Sequence, residues 1–209
     1  MTDALRPSQL REQFGDIDIY LFDQLLRGRV ADGATVLDAG CGSGRNLVFQ
    51  VRAGMDVYGV DADTEAIAAA RHRLADAAPD FDPMRLSVQS VSALSFGDGA
   101  MDVVISSAVL HFARDDTHFD TMVREMWRVL APGGMLFCRL ASTIGIERLV
   151  QPLEGRWHLL PDGSTRFLVD EALLMETTRR LGGSLLDPLK TTVVQDMRAM
   201  TTWVVQKGR

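Results

Sequence analysis

Three glycines within five positions follow a short apolar run in the segment VLDAGCGSGRN, residues 36–46. Glycine allows the chain to turn sharply, and because it lacks a Cβ it lets a ligand approach the backbone N–H groups. A strand that turns through glycines into a helix is typical of sheets whose strands alternate with crossover helices. The segment therefore predicts an α/β fold with a ligand site at Gly40, Gly42 and Gly44.

The rest of the chain repeats this alternation of strands and helices. Apolar runs predict strands at residues 34–39, 55–61, 85–90, 101–107 and 135–141. Helical spacing and end signals predict helices at residues 10–30 (with an interruption), 47–54, 65–78, 119–130 and 171–181. Thr64 and Asp170 are the predicted N-caps of two of these helices. Two closing strands within residues 184–207 predict a hairpin, so one strand runs antiparallel in an otherwise parallel, doubly wound sheet.

Composition and charge narrow the class of protein. A chain of 209 residues with 46% hydrophobic and 24% charged residues is typical of one soluble globular domain, residues 1–209. The net charge of −6 argues against a nucleic-acid partner. No apolar run approaches the roughly 20 residues that cross a bilayer, and no secretory signal is evident, so we expect no membrane partner and a cytoplasmic location. Two cysteines without metal-ligand spacing predict no metal site.

A carboxylate accompanies the glycines at a separation that suits a nucleoside. Asp61 ends the next predicted strand, 21 positions after Gly40 (61 minus 40), where a carboxylate accepts hydrogen bonds from ribose hydroxyls. The glycine spacing is G-x-G-x-G rather than the G-x-G-x-x-G of dinucleotide sites. Asp38, just before the loop, would repel a pyrophosphate and favours a cationic nucleoside. The structural alternative is a tight turn followed by a helix cap, with no ligand.

With these features the sequence resembles the class I S-adenosylmethionine-dependent methyltransferases. The similarity runs through VLDAGCGSGRN, YGVDAD, LSFGDGAMDVVISSAVLHF and EMWRVLAPGGMLFCRL, between about residues 34 and 141. It implies a seven-stranded sheet with an antiparallel last strand, and S-adenosylmethionine as the cofactor. The short chain is also similar to the small bacterial methyltransferases linked to tellurite resistance.

The resemblance implies how such a cofactor would lie. The glycine loop approaches its methionine part, Asp61 holds its ribose, and Ser106 lies near the methionine chain and the reaction centre. The cofactor-binding residues implied in this way are Asp38, Gly40, Gly42, Gly44, Asp61, Ala62, Ser90, Val91 and Ser106. Many relatives have an aspartate at the position of Ser90, which contacts the adenine edge. We expect the Ser90 hydroxyl to accept the bond from the adenine amino group, more weakly than a carboxylate does.

Five residues are candidates for the substrate side, and some of them have a structural alternative as well. They are Tyr20, His111, Arg139, His158 and Arg166. Tyr20 belongs to a predicted N-terminal helical cap, residues 1–30, and His158 and Arg166 to a predicted substrate-side insertion, residues 142–169. His111 follows the fourth strand and Arg139 lies near the end of the fifth. The alternative role is side-chain packing for Tyr20 and His111 and surface ion pairing for Arg139.

The reaction implied is an in-line displacement at a sulfonium methyl group, which depends on alignment and on a dry site. A dedicated base is optional, because an acceptor that is already anionic needs none. The chain has no Asn-Pro-Pro-Tyr, Asp-Pro-Pro-Tyr or Pro-Cys motif of the DNA-base methyltransferases, and its two cysteines do not resemble the thiol-rich arsenite enzymes. We therefore predict a methyltransferase with a small-molecule substrate. The alternatives are a non-catalytic cofactor-binding protein and an NAD-dependent oxidoreductase.

Overall fold

The computed structural model of the protein describes residues 6–209, so the first five residues of the predicted N-terminal cap lie outside the described residues. The helices are α1 (Leu10–Phe14), α2 (Ile19–Leu26), α3 (Val48–Arg52), α4 (Thr64–Ala77), α5 (Asp116–Val129) and α6 (Glu171–Arg180). The strands are β1 (Thr35–Ala39), β2 (Asp56–Asp61), β3 (Leu86–Val88), β4 (Met101–Ser107), β5 (Leu130–Ala141), β6 (Gln151–Pro152), β7 (Trp157–Leu159), β8 (Thr165–Phe167), β9 (Gly183–Leu185), β10 (Lys190–Val194) and β11 (Arg198–Lys207).

The main sheet has the strand order β10-β11-β5-β4-β1-β2-β3. The five strands from β3 to β5 in this order are mutually parallel, and β11 pairs antiparallel with β5. β10 is antiparallel to β11, and the short β9 adds an eighth strand on β11. The predicted α/β class, a doubly wound seven-stranded sheet with an antiparallel last strand, is confirmed. β9 is an addition that the sequence did not predict.

Carboxylate side chains cap four of the six helices within residues 6–209, α2, α4, α5 and α6, whereas α1 and α3 have no side-chain cap. Asp63 caps α4, because its side chain accepts a hydrogen bond from the Glu65 N–H at 2.8 Å. The prediction that Thr64 is the cap was wrong by one residue, and Thr64 is instead the first helical residue. Asp170 caps α6 as predicted and accepts from the Leu173 N–H at 2.7 Å. A carboxylate at this position also interacts favourably with the helix dipole.

Helices cover both faces of the sheet because neighbouring residues of a strand point to opposite faces. On one face, the side chains of α5 and α6 pack against Leu37, Val104 and Trp203. On the other face, α2 packs against Val36 and Ile105. All five of these strand residues are buried. The two packed layers hold the strands rigidly, so the loops at the strand ends are positioned by the core.

Residues 142–169, predicted to be a substrate-side insertion, contain a small sheet that the sequence did not reveal. β6, β7 and β8 form three antiparallel strands in that order. A parallel bridge between Ser142 and Val169 closes the segment where it leaves the main sheet. Among residues 6–209, no helix has the length and hydropathy to span a membrane. No group of three or more His, Cys, Asp or Glu residues suited to a metal ion occurs in the same range.

Candidate functional site

A crevice of about 490 Å³ lies over the carboxyl ends of β1, β2, β3 and β4. Because β4 and β3 are separated by two intervening strands, the crevice spans three strand spacings, about 14 Å. The residues that line it are Gly40, Cys41, Gly42, Ser43, Arg45, Asn46, Asp61, Ala62, Ser90, Val91, Ser107, Ala108, Val109, Phe112, His118 and Met122. The carboxyl ends of strands in an open α/β sheet are the usual place for a ligand.

The three glycines of the loop have different environments. The Gly40 N–H donates to the Val60 carbonyl at 2.8 Å, and a Cβ on Gly40 would lie only 2.3 Å from Cγ2 of Val109. Gly42 faces open space, with no atom within 4 Å of where its Cβ would be. Gly44 packs against Ala70 of α4 and does not line the crevice. Gly40 and Gly42 therefore shape the crevice wall, whereas Gly44 allows the loop to approach α4.

Asp61 connects the glycine loop to the end of β2. Its Oδ2 accepts from the Gly42 N–H at 2.9 Å, and its Oδ1 accepts from the Asp63 N–H at 3.0 Å. Each carboxylate oxygen has a second lone pair. The side chain is half-buried on the crevice wall beside Ala62, so those lone pairs can accept bonds from hydroxyls of a ligand.

Asp38 and Ser106, two other predicted cofactor-binding residues, do not reach the crevice. Asp38 is 0% exposed, and neither of its carboxylate oxygens has a hydrogen-bond partner. Burial raises the pKa of Asp38 to about 7. The side-chain amide of Asn46 and the charge of Arg45 oppose this rise in the pKa, although the amide forms no hydrogen bond with the carboxylate. Ser106 is fully buried within β4, and because side chains alternate along a strand it is Ser107 that lines the crevice.

Tyr20 of α2 and Arg139 of β5 lie together and do not line the crevice. The Arg139 guanidinium lies 5.4 Å from the Tyr20 ring centre, and its Nη1 lies 3.3 Å from Oδ2 of Asp18. Asp18 is only 3% exposed, and its Oδ2 also accepts from the Ser107 hydroxyl at 3.2 Å. The Tyr20 hydroxyl bonds to the hydroxyl of Thr192. This cluster fastens the N-terminal segment beside the crevice.

Of the remaining three candidates, His111 follows β4, and His158 and Arg166 lie in the small sheet of residues 142–169. His111 is buried, and its Nδ1 accepts from the Ala141 N–H at 3.4 Å. Burial, aided by the charge of Arg166, lowers the pKa of His111 to about 4, so its ring is neutral near pH 7. His158 pairs with Arg166 across β7 and β8 and donates from Nδ1 to the Arg156 carbonyl. Arg166 lies 5.3 Å from the ring centre of Phe112, which lines the crevice and is 56% exposed.

Several lining residues were missed by the sequence reasoning. Arg45 and Asn46 follow the glycine loop directly, and that adjacency was the available signal. Arg45 donates to the Asp16 carbonyl at 3.1 Å, and Asn46 Oδ1 accepts from the Asp18 N–H at 3.0 Å. His118 was not among the candidates and lies one residue before the helix predicted at 119–130, yet it lines the crevice from the first turn of α5. No sequence signal distinguished it from a solvated helix residue.

Comparison with known proteins agrees with this geometry. The model of the methyltransferase domain family matches residues 37–138. The chain is 35% identical over 121 residues to an arsenite methyltransferase of Aquipseudomonas alcaligenes, covering 54% of this chain and 34% of that protein. It is 27% identical over 219 residues to a probable S-adenosylmethionine-dependent methyltransferase of Mycobacterium tuberculosis, covering 90% of this chain and 76% of that protein. The chain thus spans about a third of the first relative's length and about three quarters of the second's.

Solved structures give the same assignment of the fold. A crystal structure of an S-adenosylmethionine-dependent methyltransferase from Methanosarcina mazei superposes with a TM-score of 0.71 and 22% identity. The superposition covers 88% of this chain and 97% of the other. At this identity the likeness bears on the fold alone, and the matched sequence motifs carry the family assignment. In its matched domain and in its fold, the chain is similar to the class I S-adenosylmethionine-dependent methyltransferases.

Proposed function

We propose that this protein transfers the methyl group of S-adenosylmethionine to a small-molecule acceptor. The observation that carries the proposal is the half-buried Asp61 carboxylate, which stands between the bare backbone at Gly42 and the end of β3. That placement suits a ligand with a sugar at its centre and different groups at its two ends. The family match supplies the identity of such a ligand.

The residues along the crevice fit the three parts of the cofactor. Spare lone pairs on Asp61 suit the ribose hydroxyls, and the missing side chain at Gly42 leaves room beside them. Apolar groups near the β3 end suit a flat adenine ring, and those on the wall are Ala62, Val91 and Met122. Arg45 and Asn46 at the other end suit the carboxylate and ammonium of the methionine part. When bound, the cofactor supplies an electrophilic methyl group on a sulfonium.

The side chains of this protein act by alignment and by excluding water. Val109 and Phe112 present apolar surface to the crevice, which favours loss of charge at a sulfonium. Neither nearby imidazole is poised as a base, because burial lowers the pKa of both His111 and His118. Burial also raises the pKa of the Cys41 thiol, so that group stays protonated. These features favour an acceptor that is already anionic near neutral pH, such as a low-pKa thiol or a related chalcogen compound.

Two further observations support a small acceptor. The crevice volume falls in the range of small-molecule sites, which is roughly 300–1,000 Å³. The relative from Aquipseudomonas alcaligenes is named for arsenite, a small inorganic compound. The net charge of −6 gives no electrostatic support for a nucleic-acid acceptor.

The test is calorimetric titration with S-adenosylmethionine and S-adenosylhomocysteine, followed by turnover assays on thiols, phenols, amines and carboxylates. Asp61→Asn should weaken both affinities by about 1.5–3 kcal/mol, the usual scale for a hydrogen bond to a charged group. Asp63→Asn is the matched control, since it changes the next carboxylate but keeps a good cap for α4. Absence of binding by the wild type would overturn the proposal. Equal effects of the two substitutions would overturn the assignment of Asp61 to the ribose.

A further inference from the structure

Three polar side chains form a hydrogen-bonded chain from α5 to the crevice wall. Nε2 of His118 lies 3.4 Å from the Ser92 hydroxyl, and the Ser92 hydroxyl lies 2.7 Å from the Ser90 hydroxyl. Ser90 is exposed on the crevice wall at the β3 end, whereas Ser92 is half-buried behind it and does not line the crevice. The direction in which the protons point along this chain decides what Ser90 offers to a ligand.

The His118 ring fixes the first proton. Its Nδ1 accepts a hydrogen bond from the backbone N–H of Arg114 at 3.1 Å. Since a backbone N–H can only donate, Nδ1 carries no proton, and a neutral ring must carry its proton on Nε2. Burial and the charge of Arg114 lower the pKa of His118, although Asp115 opposes them. The lowered pKa keeps the ring neutral. Nε2 is therefore the donor toward Ser92.

The two serines then have one consistent arrangement. The Ser90 oxygen already accepts from the Ser92 backbone N–H at 3.3 Å. If Ser90 also donated to Ser92, the half-buried Ser92 hydroxyl would be left with no acceptor in the described part of the chain. If Ser92 donates to Ser90 instead, the half-buried Ser92 hydroxyl has both a donor and an acceptor, and the exposed Ser90 hydroxyl directs its own proton into the open crevice. A hydroxyl that accepts bonds in such a chain is also a stronger donor.

We propose that Ser90 is a hydrogen-bond donor to a ring nitrogen of the adenine, and that His118 is a positioning residue which sets this polarity through Ser92. The proposal rests on the proposed function, because it takes the cofactor as the ligand. It reverses the expectation from sequence, in which Ser90 replaces an aspartate and accepts from the adenine amino group. The protein would then recognise the ring-nitrogen acceptor at this edge rather than the amino group.

The test measures by calorimetry how much Ser90→Ala weakens the binding of five ligands. With S-adenosylhomocysteine the substitution should weaken binding roughly three- to ten-fold, the scale of one neutral hydrogen bond. The same cost should persist with the analogue that lacks the 6-amino group. It should disappear with one of the 1-deaza, 3-deaza and 7-deaza analogues, in which a CH replaces a ring nitrogen. The opposite pattern would overturn the proposal: Ser90→Ala would then weaken the binding of every ligand except the analogue that lacks the 6-amino group.

Variants of His118 separate positioning from mere packing. His118→Gln keeps an N–H donor on a planar side chain, so Ser90→Ala should still weaken binding in that variant by most of the wild-type factor. In His118→Leu, which has no donor, Ser90→Ala should no longer weaken binding. A cost that is unchanged in His118→Leu would overturn the positioning role. A wild type that binds none of the ligands would overturn the proposed function together with this inference. A wild type that binds S-adenosylhomocysteine but shows no cost for Ser90→Ala would overturn this inference alone.

Discussion

Gly40→Ala should destabilise the protein far more than an ordinary glycine substitution. Gly40 has a φ of +89°, in the left-handed region that favours glycine. An added Cβ would lie 2.3 Å and 2.9 Å from the two γ-carbons of Val109. The substitution therefore combines backbone strain with a collision inside the crevice wall.

The size of the effect follows from these two contributions. Left-handed backbone costs a non-glycine residue about 1–2 kcal/mol, and overpacking costs about 1–3 kcal/mol more. Their sum is about 2–5 kcal/mol. Gly54→Ala is the matched control, because Gly54 has a φ of +74° but no atom within 4 Å of the added Cβ. It should cost only the backbone part, about 1–2 kcal/mol.

Urea unfolding of the two variants gives the free energies directly. Val109→Ala removes both γ-carbons and should recover much of the overpacking part when combined with Gly40→Ala, a coupling that a double-mutant cycle measures. Equal destabilisation by Gly40→Ala and Gly54→Ala would mean that the added Cβ does not collide with Val109, as would the absence of coupling with Val109. Either result would mean that the loop and the segment after β4 are not packed as described.

Two further predictions concern charge. Because burial raises the pKa of Asp38 to about 7 from an ordinary value of 3.8, the unfolded chain releases this proton first, and stability should fall as the pH rises from about 4 to 7. Asp38→Asn should remove that slope, a change worth up to about 4 kcal/mol in the free energy of urea unfolding. Equal slopes in the variant and the wild type would contradict the assignment. The lowered pKa of His111 produces a slope of opposite sign over an overlapping range, so the comparison with wild type is essential. Arg166→Ala should leave the affinity for S-adenosylhomocysteine within about two-fold but reduce kcat/KM for the acceptor on the order of ten-fold, which is the scale of one hydrogen bond to a charged group. A loss of cofactor affinity instead would place Arg166 on the cofactor side.

The sequence predicted the sheet, and it predicted a carboxylate, Asp61, beside the glycine loop, because these features depend on local patterns. Apolar runs, glycines and the separation of Gly40 from Asp61 survive in any packing of the chain. Ser106 was predicted where Ser107 lies, because a difference of one residue in a strand reverses the face and no local pattern marks which serine ends the buried stretch. The strands of residues 142–169 escaped prediction since each has only two or three residues and is held by pairing with the others.

The polarity of Ser90 shows a different limit. From sequence, a serine in place of an aspartate is expected to act as a weaker acceptor. Its donor role depends on His118, 28 positions later (118 minus 90), and on the Arg114 N–H that fixes the imidazole proton. Such a chain of bonds between distant residues exists only after α5 packs beside the segment that follows β3.

A crystal structure of the protein soaked with S-adenosylhomocysteine would show whether the crevice holds the cofactor with its ribose on Asp61. We expect electron density along the crevice, with the ribose hydroxyls on the Asp61 carboxylate, the adenine between Ala62 and Val91, and the homocysteine part over Gly42. Density elsewhere, or a ribose that does not contact Asp61, would contradict this expectation.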